Sequence, residues 1–573
     1  MTIDKDDLEG TNRPIRLGIM CSGTTFPEWQ ARALQYLLAL DYVKVQLLII
    51  DSNVDKRPLL GRIKRLLARS GCGIYSLYQQ FVFRPRTSRQ VDMSNVLSQV
   101  PSIECKVIEE GKFPQYFTEA DCAKIAEYGL DVVLRFAFGI IRGKILKVPR
   151  YGVWSFHHDD EEKYRGGPPC FWEIYYGDDA TGGILQRLTD RLDGGIVLKK
   201  GFVATCKYSY SENMERLYCE SAKWPAQVCK DIYNGNAGYL NALPSKTNAP
   251  IYYAPNNCQM LVFAVKILRN RVSATWHERF YAAQWNIGVI CEPIDTLLQS
   301  EADYCQIHWA PTPRTNRFLA DPFGQTDGSN ITILCEDFDY RRNKGIISSI
   351  VFDGERKFSE AKPVMNEAFH MSYPYLLLHQ GKVYCIPETS DARETYLYRA
   401  DQFPNKWRKI ATLLSGVAVA DPTVFQYEGL WWLMCSGSDL EQGSPGSFNN
   451  HLLIWYAEDL TGPWKSHISN PVKTDIRSSR PAGTPFLYKG YLYRPAQDCS
   501  KTYGGRVSLN RVLRLTPREF TEEFVRYIEP PKDSPFPAGL HTISSAGIFT
   551  LIDGHRFVFS PKRALRLLLH FNR

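Results

Sequence analysis

Residues 151–198 read YGVWSFHHDDEEKYRGGPPCFWEIYYGDDATGGILQRLTDRLDGGIVL. The run up to Ser155-Phe156-His157 is strand-like, and the Gly/Pro-rich segment Tyr164-Arg165-Gly166-Gly167-Pro168-Pro169 follows it as a loop. A strand that ends in histidine and opens into such a loop sets an imidazole at the rim of a sheet. Leu192-Asp193-Gly194-Gly195 is a turn, and from there Asp193 can reach back to His157. A His–Asp pair with no Ser or Cys nucleophile in view suits general acid–base chemistry, because the carboxylate orients the ring and raises its basicity. The same pair also serves as a structural hydrogen bond, so both readings stay open on these residues alone.

Towards the N-terminus the text alternates. Ile15–Met20 is a short apolar run stopped by Cys21-Ser22-Gly23, and Phe26–Leu40 has apolar residues at helical spacing. Val43–Ile50 is a second strand, stopped by Asp51-Ser52-Asn53, and Val132–Phe138 is a third, stopped by Gly139. Alternation of this kind predicts an α/β, Rossmann-like domain with a parallel sheet covered by helices over residues 14–245, after a flexible stretch 1–13. Residues 56–70 are basic and fit either a solvated face or a contact with an anionic ligand.

Towards the C-terminus the rhythm changes. From about Asn316 short β-type runs follow one another, and a loose repeat opens at Asp321-Pro322, Tyr373-Pro374, Asp421-Pro422, Arg480-Pro481 and His541-Thr542. Each opening is followed by a glycine and an apolar strand, at intervals of roughly 50 to 60 residues. Five such units predict an all-β, five-bladed propeller over 316–573. Residues 246–315 then form a connector, whose strand Gln284–Ile290 closes the ring by pairing with the last strand. Asp321, Tyr373, Asp421, Arg480 and His541 would gather at one mouth, with Glu336, Glu388, Arg494, Gln497 and Asp498 nearby. Such groups can tie blades together, bind a glycan or nucleotide sugar, or, as two carboxylates, hydrolyse a glycoside.

The 151–198 stretch resembles the signature of the formyltransferase family, which includes methionyl-tRNA and sugar N-formyltransferases. His157 stands eight residues before Arg165-Gly166 and 36 before Asp193, as in that pattern. Arg135-Phe136-Ala137-Phe138-Gly139-Ile140-Ile141 resembles the family's pteridine-pocket segment. The resemblance covers roughly residues 16–240. It implies transfer of a formyl group from 10-formyltetrahydrofolate to an amine. His157 would relay the amine proton and Asp193 would hold the imidazole. Arg135, Phe136, Phe138, Gly139 and Ile140 would line the cofactor pocket, and Arg165 and Gly166 the acceptor side. The family's oxyanion-binding Asn is Ser155 here, and its Ser-Leu-Leu-Pro stretch is Asp159-Asp160-Glu161-Glu162-Lys163, which makes the acceptor side more acidic. Either the acceptor is unusual and the chemistry survives, or the domain is vestigial. His158 is expected to face solvent.

Ser372-Tyr373-Pro374, Ile386-Pro387-Glu388-Thr389, Asp421-Pro422-Thr423, Ser479-Arg480-Pro481-Ala482-Gly483 and Tyr493–Asp498 resemble the propeller of glucosamine inositolphosphorylceramide transferases. That implies a sugar-binding role for Asp321, Glu388, Asp421, Arg480, Arg494 and His541. The combined expectation is an amino-sugar formyltransferase, acting on a free, nucleotide-linked or lipid-linked acceptor whose glycan part the propeller binds. A carbohydrate-binding protein or a bifunctional enzyme with a glycosidase-like propeller are the alternatives.

Composition agrees with a folded chain of this size. Of 573 residues, 44% are hydrophobic and 23% charged, which excludes extensive disorder. A net charge of +8 over this length does not mark a nucleic-acid binder. The 15 cysteines show no CxxC spacing, so neither zinc nor another metal is expected, and reduced thiols in a cytoplasmic protein are. Residues 1–14 lack the apolar core of a signal peptide, and no apolar run is long enough to span a bilayer. Aromatics at 13% favour β-rich structure or a sugar-facing surface, and they are expected mainly in the second half.

Overall fold

The computed structural model describes residues 13–52, 71–109, 114–191, 194–299, 306–314, 316–328, 330–353, 357–437 and 447–560. The basic segment 56–70 and Asp193 lie outside the described residues. The chain divides into two units, Met1–Val272 and Ser273–Arg573, with the boundary inside one helix, Asn257–Phe280.

The first unit is built on a seven-stranded sheet: β1 Ile15–Cys21, β2 Val43–Asp51, β3 Ser102–Cys105, β4 Val132–Arg135, β5 Val153–His157, β6 Ala180–Arg187 and β7 Ile196–Ala204. Their order across the sheet is β7-β6-β5-β4-β1-β2-β3. Strands β1 to β5 run parallel, as their apolar text predicts. The sheet is nevertheless mixed and not wholly parallel, because β6 and β7 join antiparallel. The connection from β6 to β7 spans only residues 188–195, too few for the crossover a parallel neighbour needs, and the longer one from β5 to β6 carries only the short helix Trp172–Tyr176.

Alternation along the strands feeds two cores. Val132 and Leu134 enter one with α1 (Glu28–Leu38), α4 (Tyr210–Ser221) and α5 (Trp224–Tyr233), while Val133 enters the other with α3 (Glu119–Glu127). Thr118 caps α3 by accepting the Asp121 N–H at 3.0 Å, and Ser209 caps α4. The other helices that matter below are α2 (Gly73–Phe81) and α6 (Asn257–Phe280).

Among its described residues the second unit holds five antiparallel sheets. Four form from consecutive strands beginning at Arg317, Ser372, Val419 and Phe486. The fifth combines Tyr281–Ile290 and His308–Trp309 with Ile543–Ala546 and Phe549–Phe559. Tyr281–Ile290 pairs along its whole length with the last described strand, from Tyr281 opposite Phe559 to Ile290 opposite Thr550.

Three of the five repeated dipeptides are β-bulges; Arg480-Pro481 and His541-Thr542 lie before the strands Phe486–Tyr488 and Ile543–Ala546 and are not. Ladder register shifts between Ala320 and Phe323, Ser372 and Tyr375, and Ala420 and Thr423. At each shift one residue sits at positive φ before a proline: Asp321 at 53°, Tyr373 at 44° and Asp421 at 52°. Asp tolerates this region; a tyrosine there is strained and must be held by its surroundings. Tyr373 is held by burial, by its N–H to Asp321 (3.2 Å), and by the Gly483 N–H donated to its hydroxyl (2.7 Å).

No disulfide joins the described cysteines. No helix among the described residues is long and apolar enough to cross a membrane. Aromatics are dense in the first unit too, contrary to the expectation that they gather in the second. Trp29 sits edge-on to Phe136 and Phe156 and tilts against Tyr218.

Candidate functional site

A cavity of about 640 Å³ lies in the first unit where the parallel strands β4 and β5 end. That is the position where open α/β sheets place ligands, since loops diverge beyond the carboxyl ends of the strands. Arg135, Gly139, Ile140, Ser155, His157 and Gly166 line it, so six of the residues singled out in the first half come together.

Ser155, at the middle of β5, is buried with its hydroxyl beside Arg135. Arg135 donates twice to the Ser155 Oγ, from Nε at 3.1 Å and Nη2 at 2.7 Å. Its Nη1 donates to the carbonyls of Phe138 (3.0 Å) and Gly139 (2.7 Å). One guanidinium therefore fixes both the loop after β4 and the hydroxyl on β5. Two donors arriving at Oγ take up its lone pairs, and the Ser155 hydroxyl gives its own hydrogen to the Phe156 carbonyl, 3.3 Å from Oγ.

His157 is 8% exposed, and its Nε2 lies 3.0 Å from the Tyr164 carbonyl. A carbonyl only accepts, so Nε2 carries the hydrogen. Gln186 and Thr189 hold the two glycines that follow the undescribed residues 192–193: Gln186 Oε1 accepts the Gly195 N–H (3.1 Å) and the Thr189 hydroxyl donates to the Gly194 carbonyl (2.9 Å).

Gly166 makes the cavity possible. Its φ is +88°, and a Cβ there would stand 2.3 Å from the Tyr252 carbonyl oxygen. The close approach lets Arg165–Gly166 pair in parallel with Ile251–Tyr252. That pairing brings Ile251, Tyr252, Tyr253 and Ala254 into the wall. These four were missed because they fall in the stretch expected to be connector; the signal was a β-type run, Ile251-Tyr252-Tyr253, between Pro250 and Pro255. Arg142, Gln186 and Arg191 also line the cavity and carried no motif.

Four expectations change. Phe136 and Phe138 are not cavity walls: Phe136 packs into the core under α1, and Phe138 (φ +66°) into the opposite core against Phe117. The Arg165 side chain is turned to the Ala249 carbonyl (3.4 Å), outside the wall. His158 does not face solvent. It is buried, stacked on Phe156, and bonded through Nε2 to the Ser221 hydroxyl at 3.0 Å; burial, then neighbouring His157, pull its pKa down to about 3.

The acidic run is the fourth. Asp159 accepts the Cys170 N–H (2.8 Å) and so pins the Gly/Pro loop. Lys200 lies 2.9, 3.1 and 3.4 Å from Asp160, Glu161 and Glu162. One cation gathers the three carboxylates, and of this run only Asp159 reaches the cavity wall. Of the acidic run only Asp159 therefore bears on the acceptor side.

In the second unit Asp321, Glu388, Asp421, Arg480 and His541 do come together, but bound to one another. Each bulge N–H is accepted by a carboxylate of the neighbouring sheet: Asp321 by Asp553 (3.2 Å), Tyr373 by Asp321 (3.2 Å) and Asp421 by Glu388 (3.1 Å). Arg480 forks onto Asp421 at 2.5 and 3.1 Å, and Thr542 donates to Asp321 at 2.7 Å. His541 Nδ1 stands 2.5 Å from Asp553. Burial, then Asp421, push the Glu388 carboxyl up to about 8 despite Arg480. Burial raises Asp321 to about 6 against the pull of His541.

Asp321, His541 and Asp553 have ligand atoms within 4.8 Å of one another, the spacing a metal would need. Those atoms already serve the hydrogen bonds just given. Arg494 does not join the cluster. It is 2% exposed and forks onto Glu522 at 2.8 and 2.7 Å, with a further bond to the Ser478 carbonyl at 2.5 Å. With its guanidinium held by Glu522 and the Ser478 carbonyl, that side chain leaves the proposed binding set.

Comparison with known proteins resolves the chain into two likenesses. Residues 305–533 match the family model for the N-terminal part of glucosamine inositolphosphorylceramide transferase 1. The Oryza sativa subsp. japonica protein of that name is 34% identical over 210 residues, which is 36% of this chain and 28% of the relative. A methionyl-tRNA formyltransferase of Pseudoalteromonas translucida is 24% identical over 265 residues, covering 46% of this chain and 67% of the relative. A solved N-formyltransferase of Helicobacter canadensis, in complex with folinic acid and dTDP-3-aminofucose, has a TM-score of 0.27 at 12% identity, covering 42% of this chain and 70% of that one. The match therefore spans little more than a quarter of the rice relative's length. Both groups of named relatives are transferases.

Proposed function

We propose that the first unit transfers a formyl group from 10-formyltetrahydrofolate to the amino group of an amino sugar or of its nucleotide- or lipid-linked form. The observation that carries this reading is the Arg135–Ser155 pair beside His157 in one cavity at the ends of β4 and β5. Bound there, 10-formyltetrahydrofolate would supply the formyl carbon. The cavity offers apolar walls at Ile140, Ile141 and Leu188, and polar groups at Gln186, Thr189 and Arg191. That mixture fits a heteroaromatic ring with hydrogen-bonding edges.

Within the proposal, Ser155 takes the part of the family's Asn. Its lone pairs are occupied by Arg135, and its O–H, which rests on the Phe156 carbonyl, would turn to the developing oxyanion, with the adjacent guanidinium strengthening that donor. His157, with its hydrogen on Nε2, moves the amine proton, and Asp193 is proposed to steady the ring. The likeness to methionyl-tRNA formyltransferases supports this assignment. In the second unit we read the five sheets as propeller blades whose central residues join neighbouring blades. The likeness of residues 305–533 to a glycolipid-modifying transferase supports a glycan-binding role for this unit. A hydrolytic role draws less support, since Asp321, Glu388 and Asp421 accept buried N–H groups.

The test is release of tetrahydrofolate from 10-formyltetrahydrofolate in the presence of a panel of amino sugars, free and nucleotide-linked. Turnover that His157→Ala abolishes supports the reading. No turnover with any amine, and no difference between wild type and His157→Ala, rejects it in favour of a vestigial domain.

A further inference from the structure

Two neighbouring helices of the first unit present an apolar surface to water. Helix α6 buries one side only. Met260 and Phe263 face inward, and Phe263 stacks on Phe171 at 4.3 Å. Asn270 donates to the Lys207 carbonyl at 3.0 Å. On its other side Leu261, Val265, Leu268 and Val272 are between 59 and 67% exposed. Steps of four, three and four residues set them on one stripe about 16 Å long.

Helix α2 adjoins α6. Asn257 accepts the Ile74 N–H at 3.0 Å, its own N–H reaches the Gly71 carbonyl at 2.7 Å, and Tyr78 meets Phe263 edge-on. Here Ile74, Leu77, Phe81 and Val82 are exposed as well. Eight large apolar side chains on two adjoining helices are more than scattered surface residues.

Along the two helices and the loop after α2 the charge has one sign, although Glu215 of α4 accepts the Arg86 N–H and Asp92 and Glu278 follow directly. Residues 71–91 and 257–277 contain no Asp or Glu, yet hold Arg84, Arg86, Arg89, Lys266, Arg269 and Arg271. All five arginines are exposed. Helices that pair with a second copy choose each other by opposite charges flanking the apolar seam. The α6 stripe is instead flanked by cations only, so a second copy would meet like charge. An apolar stripe with cationic flanks matches a bilayer surface that carries anionic headgroups.

We propose that α2 and α6 rest on an anionic lipid surface, with the Leu261–Val272 stripe at the acyl boundary and the arginines at the phosphates. The helices lie on such a surface and do not cross it. This proposal stands apart from formyl transfer and holds whether or not the cavity is active.

The test is co-sedimentation of the full chain with vesicles of phosphatidylcholine alone or mixed with phosphatidylserine, at low and high salt. The expected result is binding to the mixed vesicles only, lost at high salt. Val265→Asp with Leu268→Asp is expected to weaken it at least about tenfold, as is Arg269→Gln with Arg271→Gln. These side chains are exposed, so both variants should unfold at the wild-type temperature; the arginine pair decides the matter if the first variant does not. Failure of the wild type to bind mixed vesicles overturns the proposal, as does undiminished binding by folded variants. A dimer that Val265→Asp with Leu268→Asp dissociates, without lipid binding, overturns it in favour of a second copy.

Discussion

At the scale of single residues, the departure from family pattern at Ser155 is answered by Arg135. A lone serine hydroxyl rotates; one that receives two N–H groups from a guanidinium points its own hydrogen in one direction. Ser155→Ala is therefore expected to lower kcat on the order of a hundredfold with little change in KM for the formyl donor, read by steady-state kinetics. Lys200 is the other residue with an outsized role. Burial alone would depress its pKa, but Asp160 and then Glu161 raise it. Lys200→Met leaves two buried carboxylates without their cation and is expected to destabilise the first unit by about 2–3 kcal/mol, seen as a lowered thermal midpoint. Neither role was legible from residue type. The acidic run at 159–162 looked like a statement about substrate, and only the fold shows β7 delivering Lys200 to it.

At the scale of elements, the text was most legible where one local signal sufficed. Ile15–Met20, Val43–Ile50 and the strand before His157 announced themselves by apolar runs ending in turn residues, and each is a strand of the sheet. The dipeptides Asp321-Pro322, Tyr373-Pro374 and Asp421-Pro422 marked real repeats, because each is a bulge at the same place in its sheet. What stayed hidden was long-range. The direction of β6 and β7, the wall formed by Ile251–Ala254, and the pairing of Arg494 with Glu522 depend on which segments meet, and no local pattern records that. The Arg165–Gly166 contact with Ile251–Tyr252 is the sharpest case. Gly166→Ala places a methyl group 2.3 Å from a carbonyl oxygen at a φ of +88°. It is expected to cost about 2 kcal/mol or more and to detach Tyr252 from the cavity. Chemical denaturation reads the first effect. Loss of activity exceeding the loss of folded protein reads the second.

At the scale of the whole molecule, the central network of the second unit ties stability to pH. Burial pulls the His541 imidazole down, yet Asp553 and then Asp321 outweigh it, so its folded pKa lies above the usual 6.5. Its contribution is complete below that value and declines as pH rises through the folded one. Glu388 acts in the same sense. Its carboxyl ionises near 4.5 when unfolded and only near 8 when folded, so the folded state binds the extra proton between those values and loses stability as pH rises. The second unit is thus expected to be most stable on the acid side of neutrality, with the unfolding free energy from urea titrations falling from pH 5 to pH 8 by at most about 1.4 kcal/mol per pH unit per group. Glu388→Gln should flatten the early part of that decline and His541→Gln the later part. The strand pairing that completes the fifth sheet has a consequence in time. Ile290 meets Thr550 only after about 260 further residues have left the ribosome, roughly 13–50 s at ordinary rates of synthesis. For that interval Tyr281–Ile290 has only His308–Trp309 to pair with, and the rest of its apolar length stays open to mispairing until Phe549–Phe559 arrives.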